Sequence, residues 1–309
     1  KMNLLVNNLR GEIFETNSYE SDPHDSYEAF DFVMANPPFN VKSVKESTVK
    51  NDKRFYEYGL PKNKGSTMKV GVLGFGRLGK LLVKNLAQDA SVYVYDTTLN
   101  DDEVTSLGAT PSSLEDICKS KILILCIPIS ALTVVAQQIK NLVDENTLVV
   151  DVCSVKVHPM EQLTNILPKS VQILGTHPMF GPDSAKKSLY GCKIVLCQER
   201  VSDESFNNIK GYLESHGLKV IVSSAHEHDK QIAQSLILTH TIGRTLMDMN
   251  STSMEIDTKG YRRLLKILET VENDSVQLFN DMNKYNPYAK DMRGSLESSL
   301  SKVLGSVKE

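Results

Sequence analysis

Three short segments of this chain carry residue types that could do chemistry together. The first is Gly74-Phe75-Gly76-Arg77-Leu78-Gly79, between an apolar run and an amphipathic run. The first glycine of such a loop permits a tight turn, the second lets backbone approach a pyrophosphate, and the third allows close helix–strand packing. The helix that follows adds N–H donors and the positive end of its dipole. Asp96, twenty-two residues after Gly74, ends the next apolar run, where an acid accepts hydrogen bonds from an adenosine ribose. A carboxylate there repels a 2′-phosphate, and Thr97-Thr98 offer no arginine to hold one, so NAD is expected over NADP. Ile127 and Pro128, closing a further apolar run, complete the expected cofactor contacts.

The second segment is Asp151-Val152-Cys153-Ser154-Val155-Lys156, and the third is Thr176-His177-Pro178-Met179-Phe180-Gly181-Pro182-Asp183. Each follows an apolar run, so each is expected at the carboxyl edge of a sheet, where open α/β proteins bind ligands. A histidine there titrates near neutral pH and can take a proton from a hydroxyl. Taken alone, a loop histidine is more often structural or solvated than catalytic.

The elements that must position these segments can be read from periodicity. From Met68, short apolar strands alternate with amphipathic helices, the pattern of an α/β domain. Strands are expected at Lys69–Leu73, Ser91–Tyr95, Ile122–Ile127, Leu148–Val152, Val171–Leu174, Lys193–Cys197 and Lys219–Val222, with helices at Arg77–Ala87 and Ala131–Leu142. Beyond about Ala225 the strands stop. Four helices are expected, at Ala225–Asn250, Gly260–Asn273, Ser275–Asn286 and Tyr288–Val307, with apolar stripes at helical spacing. The fold class is therefore α/β: a doubly wound, Rossmann-type parallel sheet followed by an all-helical C-terminal domain. A short, irregular N-terminal segment precedes it. The expected divisions are residues 1–66, 67–224 and 225–309, with a hydrophilic linker at Lys62-Asn63-Lys64-Gly65-Ser66-Thr67.

With 309 residues, 40% hydrophobic and 24% charged, the composition excludes a largely disordered chain or a collagen-like one. A net charge of -3 gives no overall footprint for nucleic acid or an anionic membrane. Cys118, Cys126, Cys153, Cys192 and Cys197 form no CxxC pair and read as free thiols of a reducing compartment, with no metal site. The most apolar stretch, Ile122–Ala136, is interrupted by Pro128 and Ser130 and is too short to span a bilayer. No secretory leader is visible, so a cytoplasmic location is expected.

Taken with the glycine loop, the Asp-Val-Cys-Ser-Val-Lys and His-Pro-Met-Phe-Gly-Pro-Asp stretches closely resemble the active-site signatures of the prephenate/arogenate dehydrogenase family. The stretch Asp257-Thr258-Lys259-Gly260-Tyr261-Arg262-Arg263-Leu264-Leu265 looks like the plant and cyanobacterial arogenate-type branch. The resemblance implies an oxidative decarboxylation in tyrosine biosynthesis, acting on arogenate or prephenate with NAD, or possible use of NADP. By that resemblance His177 is the base, Ser154 orients it near the substrate hydroxyl, and Lys156 directs positive charge toward the substrate. Arg262 is the expected guanidinium for a substrate carboxylate. Gln234 and His240 are expected substrate-side groups, and Asp183 could pair with the amino group that arogenate has and prephenate lacks. Family members dimerise through the helical domain, so a homodimer is implied.

The first 65 or so residues do not fit that family. Asn36-Pro37-Pro38-Phe39 after Phe30-Asp31-Phe32-Val33, with Asp22-Pro23-His24-Asp25 and Phe55-Tyr56-Glu57-Tyr58-Gly59 around it, resembles the modification subunit of type I restriction systems. In that motif the asparagine and a proline carbonyl accept hydrogen bonds from a flipped adenine, and the aromatic stacks on it. No glycine-rich methyl-donor turn accompanies it, so the segment is expected to be a truncated remnant. Three function classes follow: the dehydrogenase, an adenine methyltransferase, and a non-catalytic dinucleotide-binding regulator.

Overall fold

The computed structural model describes residues 68–185 and 188–307. The chain divides after Thr67, and the unit from Met68 onward is described by itself; the Asn36-Pro37-Pro38-Phe39 segment lies outside the described residues. Its apolar runs form strands β1 (Lys69–Leu73), β2 (Ser91–Tyr95), β3 (Thr110–Pro111), β4 (Ile122–Leu125), β5 (Leu148–Asp151), β6 (Gln172–Pro178), β7 (Lys193–Arg200) and β8 (Lys219–Val222). They make one sheet in the order β3-β2-β1-β4-β5-β6-β7-β8. The order reverses between β1 and β4, which opens the crevice used for ligands in such sheets.

One expectation of uniform strand direction is corrected. β6 and β7 are antiparallel, with His177 opposite Val195, while β7 and β8 are parallel to each other. Apolar patterning reports burial and not direction, because a strand buried on both faces reads the same either way. The reversal brings the β6–β7 connection, which carries Asp183, to the carboxyl edge of the main sheet.

Burial alternates along the strands with period two. Leu123 and Leu125 join one core cluster, and Ile124, between them, joins the other. Full burial of each such side chain contributes roughly 1.5–3 kcal/mol. Helices α1 (Arg77–Leu86), α2 (Asp101–Ser106), α3 (Leu114–Cys118), α4 (Leu132–Ile139), α5 (Val157–Ile166) and α6 (Asp203–Ser215) connect the strands.

The C-terminal region is helical: α7 (Ala225–Ile232), α8 (Leu238–Asp248), α9 (Lys259–Val271), α10 (Val276–Tyr285) and α11 (Ala289–Gly305). The single helix expected over Ala225–Asn250 is instead α7 and α8 joined by a π-helical turn at Ala233–Ile237. An inserted π turn leaves a sequence pattern that still reads as one amphipathic helix. Gly243 lets α8 approach α9 closely, since a Cβ there would lie 2.6 Å from Val271. The helices also dock on the sheet. Met282, Ala289 and Met292 enter the first core cluster, and Asp281 accepts hydrogen bonds from the Ser130 amide at 3.0 Å and hydroxyl at 2.7 Å.

Candidate active site

At the turn from β1 into α1, Gly74 has φ +103°, and a Cβ there would overlap the Cys126 carbonyl oxygen. A Cβ on Gly79 would overlap the Gly74 carbonyl oxygen, whereas one on Gly76 would meet nothing within 4 Å. Two glycines thus close-pack the turn and the third leaves open space, a cradle for a phosphate group. No side chain caps the start of α1, so its first amides face that space. Asp96 Oδ2 accepts from the Phe75 amide at 2.7 Å, and Oδ1 from the Thr98 amide at 3.0 Å. Partial burial alone would raise this carboxyl, but hydrogen bonds from Phe75, Thr98 and Thr97 hold it below the ordinary carboxylate value. Leu78 is half-buried beside the loop, and Ile127 and Pro128 follow β4 on the adjacent strand. These features fit a dinucleotide.

His177 is the second-last residue of β6, 5% exposed. Its Nδ1 is 2.9 Å from His228 Nε2 on α7, and His228 Nδ1 is 2.8 Å from Asp229 Oδ1. Asp229 also accepts the backbone amides of Lys156 at 2.7 Å and Val157 at 2.9 Å. A carboxylate that accepts these bonds requires His228 Nδ1 to donate. His228 Nε2 in turn faces His177 Nδ1, and which of the two donates is set by the tautomers of the rings. Burial, His228 and Lys156 together hold the His177 imidazole well below its ordinary value. These causes favour the neutral form of the ring, which is held at Nδ1 by a chain of two further side chains.

Lys156 is fully buried. Its ammonium pairs with Asp151 and donates to the Thr176 carbonyl at 2.6 Å, immediately before His177. The charge expected to face substrate is instead turned inward, tying β5 to β6 beneath the histidine. Ser154 is half-buried, and its hydroxyl has no hydrogen bond among the described residues; the side chain in contact with His177 Nδ1 is His228.

The other expected substrate groups are dispersed. Arg262, on α9, is 62% exposed and its Nε lies 3.0 Å from Asp257 Oδ1. Asp183 accepts from Arg77 of the glycine loop at 2.6 Å, and Arg77 also donates to the Asn273 carbonyl at 3.0 Å. Gln234 is exposed on the π turn. His240 is buried on α8 with Nε2 3.5 Å from Asp274. Among the described residues no hydrogen bond or ion pair joins any of these four to His177.

His228, Asp229 and Asp151 were not anticipated. The sequence signal for the first two is His-Asp directly after a strand, in the first turns of a helix capped by Ser224. The cysteines are free, and burial pushes the Cys118 and Cys197 thiols up to about 12 and about 11, so neither is a thiolate at neutral pH. Among the described residues no group of three or more His, Cys, Asp or Glu is placed to hold a metal ion, and no helix is long and apolar enough to cross a membrane.

Residues 81–222 match the family model described as prephenate dehydrogenase, nucleotide-binding domain. Residues 245–309 match a TYRAAT1-like C-terminal domain, and residues 1–70 an N-6 DNA methylase. Arogenate dehydrogenase 2, chloroplastic, of Arabidopsis thaliana is 34% identical over 78% of this chain and 70% of its own length. Arogenate dehydrogenase 1, chloroplastic, of the same plant is 35% identical over 74% of this chain, which spans only 37% of that relative. Solved structures with this fold include prephenate dehydrogenase from A. aeolicus, at TM-score 0.61 and 22% identity over 77% of this chain and 89% of that one. Synechocystis arogenate dehydrogenase follows at TM-score 0.58 and 20% identity over 77% and 92%. From Met68 onward, the chain belongs to the prephenate/arogenate dehydrogenase family.

Proposed function

We propose that this protein catalyses the NAD-dependent oxidative decarboxylation of arogenate or prephenate, a step of tyrosine biosynthesis. The observation that carries this reading is the His177–His228–Asp229 chain, which holds the His177 ring by its Nδ1 near the carboxyl end of β6; the reading takes Nε2 as the nitrogen that meets the substrate. His177 takes the proton of the ring hydroxyl at Nε2 as the carbinol carbon is oxidised and the ring carboxylate leaves as carbon dioxide. The nicotinamide, when bound, supplies the hydride acceptor. Gly74, Phe75, Gly76, Leu78 and Gly79 would hold its diphosphate and Asp96 its ribose hydroxyls. Aromatisation drives the reaction, so the chain mainly positions the substrate and keeps the base neutral. The relative from A. aeolicus is a complex with hydroxyphenyl propionate and NAD+, which accords with a phenolic product and this cofactor.

The proposal includes a homodimer through the helical end, supported by apolar side chains exposed there, such as Met249 at 67% and Ile256 at 94%. It also includes a cytoplasmic location, supported by the free cysteines. The match of residues 1–70 to an N-6 DNA methylase favours a second reading, methyl transfer to adenine in DNA. One assay separates the two. Reduced nicotinamide formed with arogenate or prephenate is the expected result; its absence with both substrates, alongside methylation of DNA, would establish the second.

A further inference from the structure

Arg77 joins three parts of the molecule: the glycine loop, the connection between β6 and β7, and the helical end. It is the first residue of α1 and directly follows Gly76, the glycine that leaves open space for a phosphate. Its Nη2 donates to Asp183 Oδ2 at 2.6 Å, on the β6–β7 connection. Its Nη1 donates to the Asn273 carbonyl at 3.0 Å, on the turn between α9 and α10. A guanidinium carries five N–H donors and no acceptor. Arg77 is the one charged side chain of the segment from Gly74 to Gly79, so it alone there can draw an anion by charge.

The strength of the Arg77–Asp183 contact is bounded by its exposure. The two side chains are 49% and 59% exposed, and an ion pair so open shifts an equilibrium by about fivefold at most. Asp183 makes no other side-chain hydrogen bond among the described residues. A dinucleotide diphosphate at Gly76 would have the loop amides and the positive end of α1 as well as Arg77. A charged hydrogen bond from Arg77 to it would add about ten- to hundredfold. Two anions at one guanidinium repel each other, and the one with the further donors displaces the other.

We propose that Asp183 competes with the cofactor diphosphate for Arg77, and that a dinucleotide takes Arg77 from it and so releases the β6–β7 connection. Arg77 and Asp183 then form a latch between the cofactor loop and the segment that follows the strand of His177, since β6 ends at Pro178. The role differs from the one expected of Asp183, a partner for a substrate ammonium. The inference rests on the dinucleotide reading of the glycine loop and adds to it an exchange of partners at one side chain.

Calorimetric titration of NAD and of ADP-ribose into the full chain tests the exchange, with Asp183→Asn, Arg77→Leu and the double variant alongside. Both side chains are about half exposed, so the fold should survive each change. Asp183→Asn should tighten both ligands by about two- to fivefold, because the competitor is gone. Arg77→Leu should weaken both by about tenfold or more. With Arg77 already replaced, Asp183→Asn should bring no gain, which separates competition for Arg77 from simple removal of a nearby negative charge. Hydrogen exchange gives a second readout. The Gly181 and Ala185 amides, bonded within the connection, should exchange faster once ADP-ribose is bound. Weaker binding by Asp183→Asn, an equal gain with and without Arg77, or exchange that is unchanged or slower would overturn the latch. If the unmodified protein binds neither NAD nor ADP-ribose, the dinucleotide reading itself fails; equal binding by all four proteins leaves that reading standing and removes the latch. Absence of turnover with both arogenate and prephenate would sink the proposed reaction and leave the latch untouched.

Discussion

His177 Nδ1 and His228 Nε2 lie 2.9 Å apart across fifty-one residues of sequence, and His228 Nδ1 lies 2.8 Å from Asp229 Oδ1. His177→Asn should keep NAD affinity and lower turnover by a factor on the order of 10²–10⁴, the weight of a general base. Asp229→Asn is the more specific change. The asparagine nitrogen must then oppose a donor, either the Val157 amide or His228 Nδ1 with the Lys156 amide, so the chain behind His177 is broken and turnover should fall. Single-turnover rates with an unchanged circular dichroism spectrum check both. Turnover near that of the unmodified protein in His177→Asn would remove the base assignment.

The pH profile follows from the same contacts. Burial first, then His228 and Lys156, disfavour the charged His177 ring, so the neutral form persists below the ordinary histidine value. The acid limb of kcat/KM should therefore have its midpoint below 6.5, with activity lost as pH falls through the lowered value. A midpoint at or above 6.5 would show that the ring is solvated in the working enzyme.

Beneath the base, Lys156 and Asp151 form a fully buried pair. Removing one partner strands the other charge in the core, so Lys156→Ala should destabilise the protein by about 3–5 kcal/mol. The double change Lys156→Met with Asp151→Leu removes both charges and should recover part of that loss. Chemical denaturation of the three proteins measures it, and an equal loss in the single and double variants would mean the pair matters through packing alone.

Cofactor choice rests on Asp96. Replacing it with alanine and placing arginine at Thr97 should shift the preference toward NADP, because a repulsion is removed and a phosphate partner is added. Measured kcat/KM for the two cofactors decides it. An unmodified protein that already prefers NADP would contradict the argument from this carboxylate.

The compact unit begins at Met68, and its first strand starts at Lys69. A chain lacking residues 1–66 should therefore retain dehydrogenase turnover and its oligomeric state by light scattering. Asn36→Ala should leave dehydrogenase turnover unchanged as well. Loss of activity on truncation would assign the N-terminal segment a part in the dehydrogenase.

What the sequence determined by itself is local. The glycine loop, Asp96 and the strand–helix alternation are written in adjacent residues, because turns and periodic burial act over a few positions. His177 was legible for the same reason: it closes a strand within a distinctive run. The tertiary structure decided everything that depends on pairs distant in the chain. Strand direction at β7 leaves no trace in apolar pattern, and the π turn at Ala233–Ile237 hides inside a continuous stripe. Lys156 reads as a free cation until β5 and β6 place Asp151 and the Thr176 carbonyl against it. His228 and Asp229 acquire meaning only when α7 is set against the sheet. A side chain's charge is local, but its partner and the protonation it adopts are properties of the packed fold.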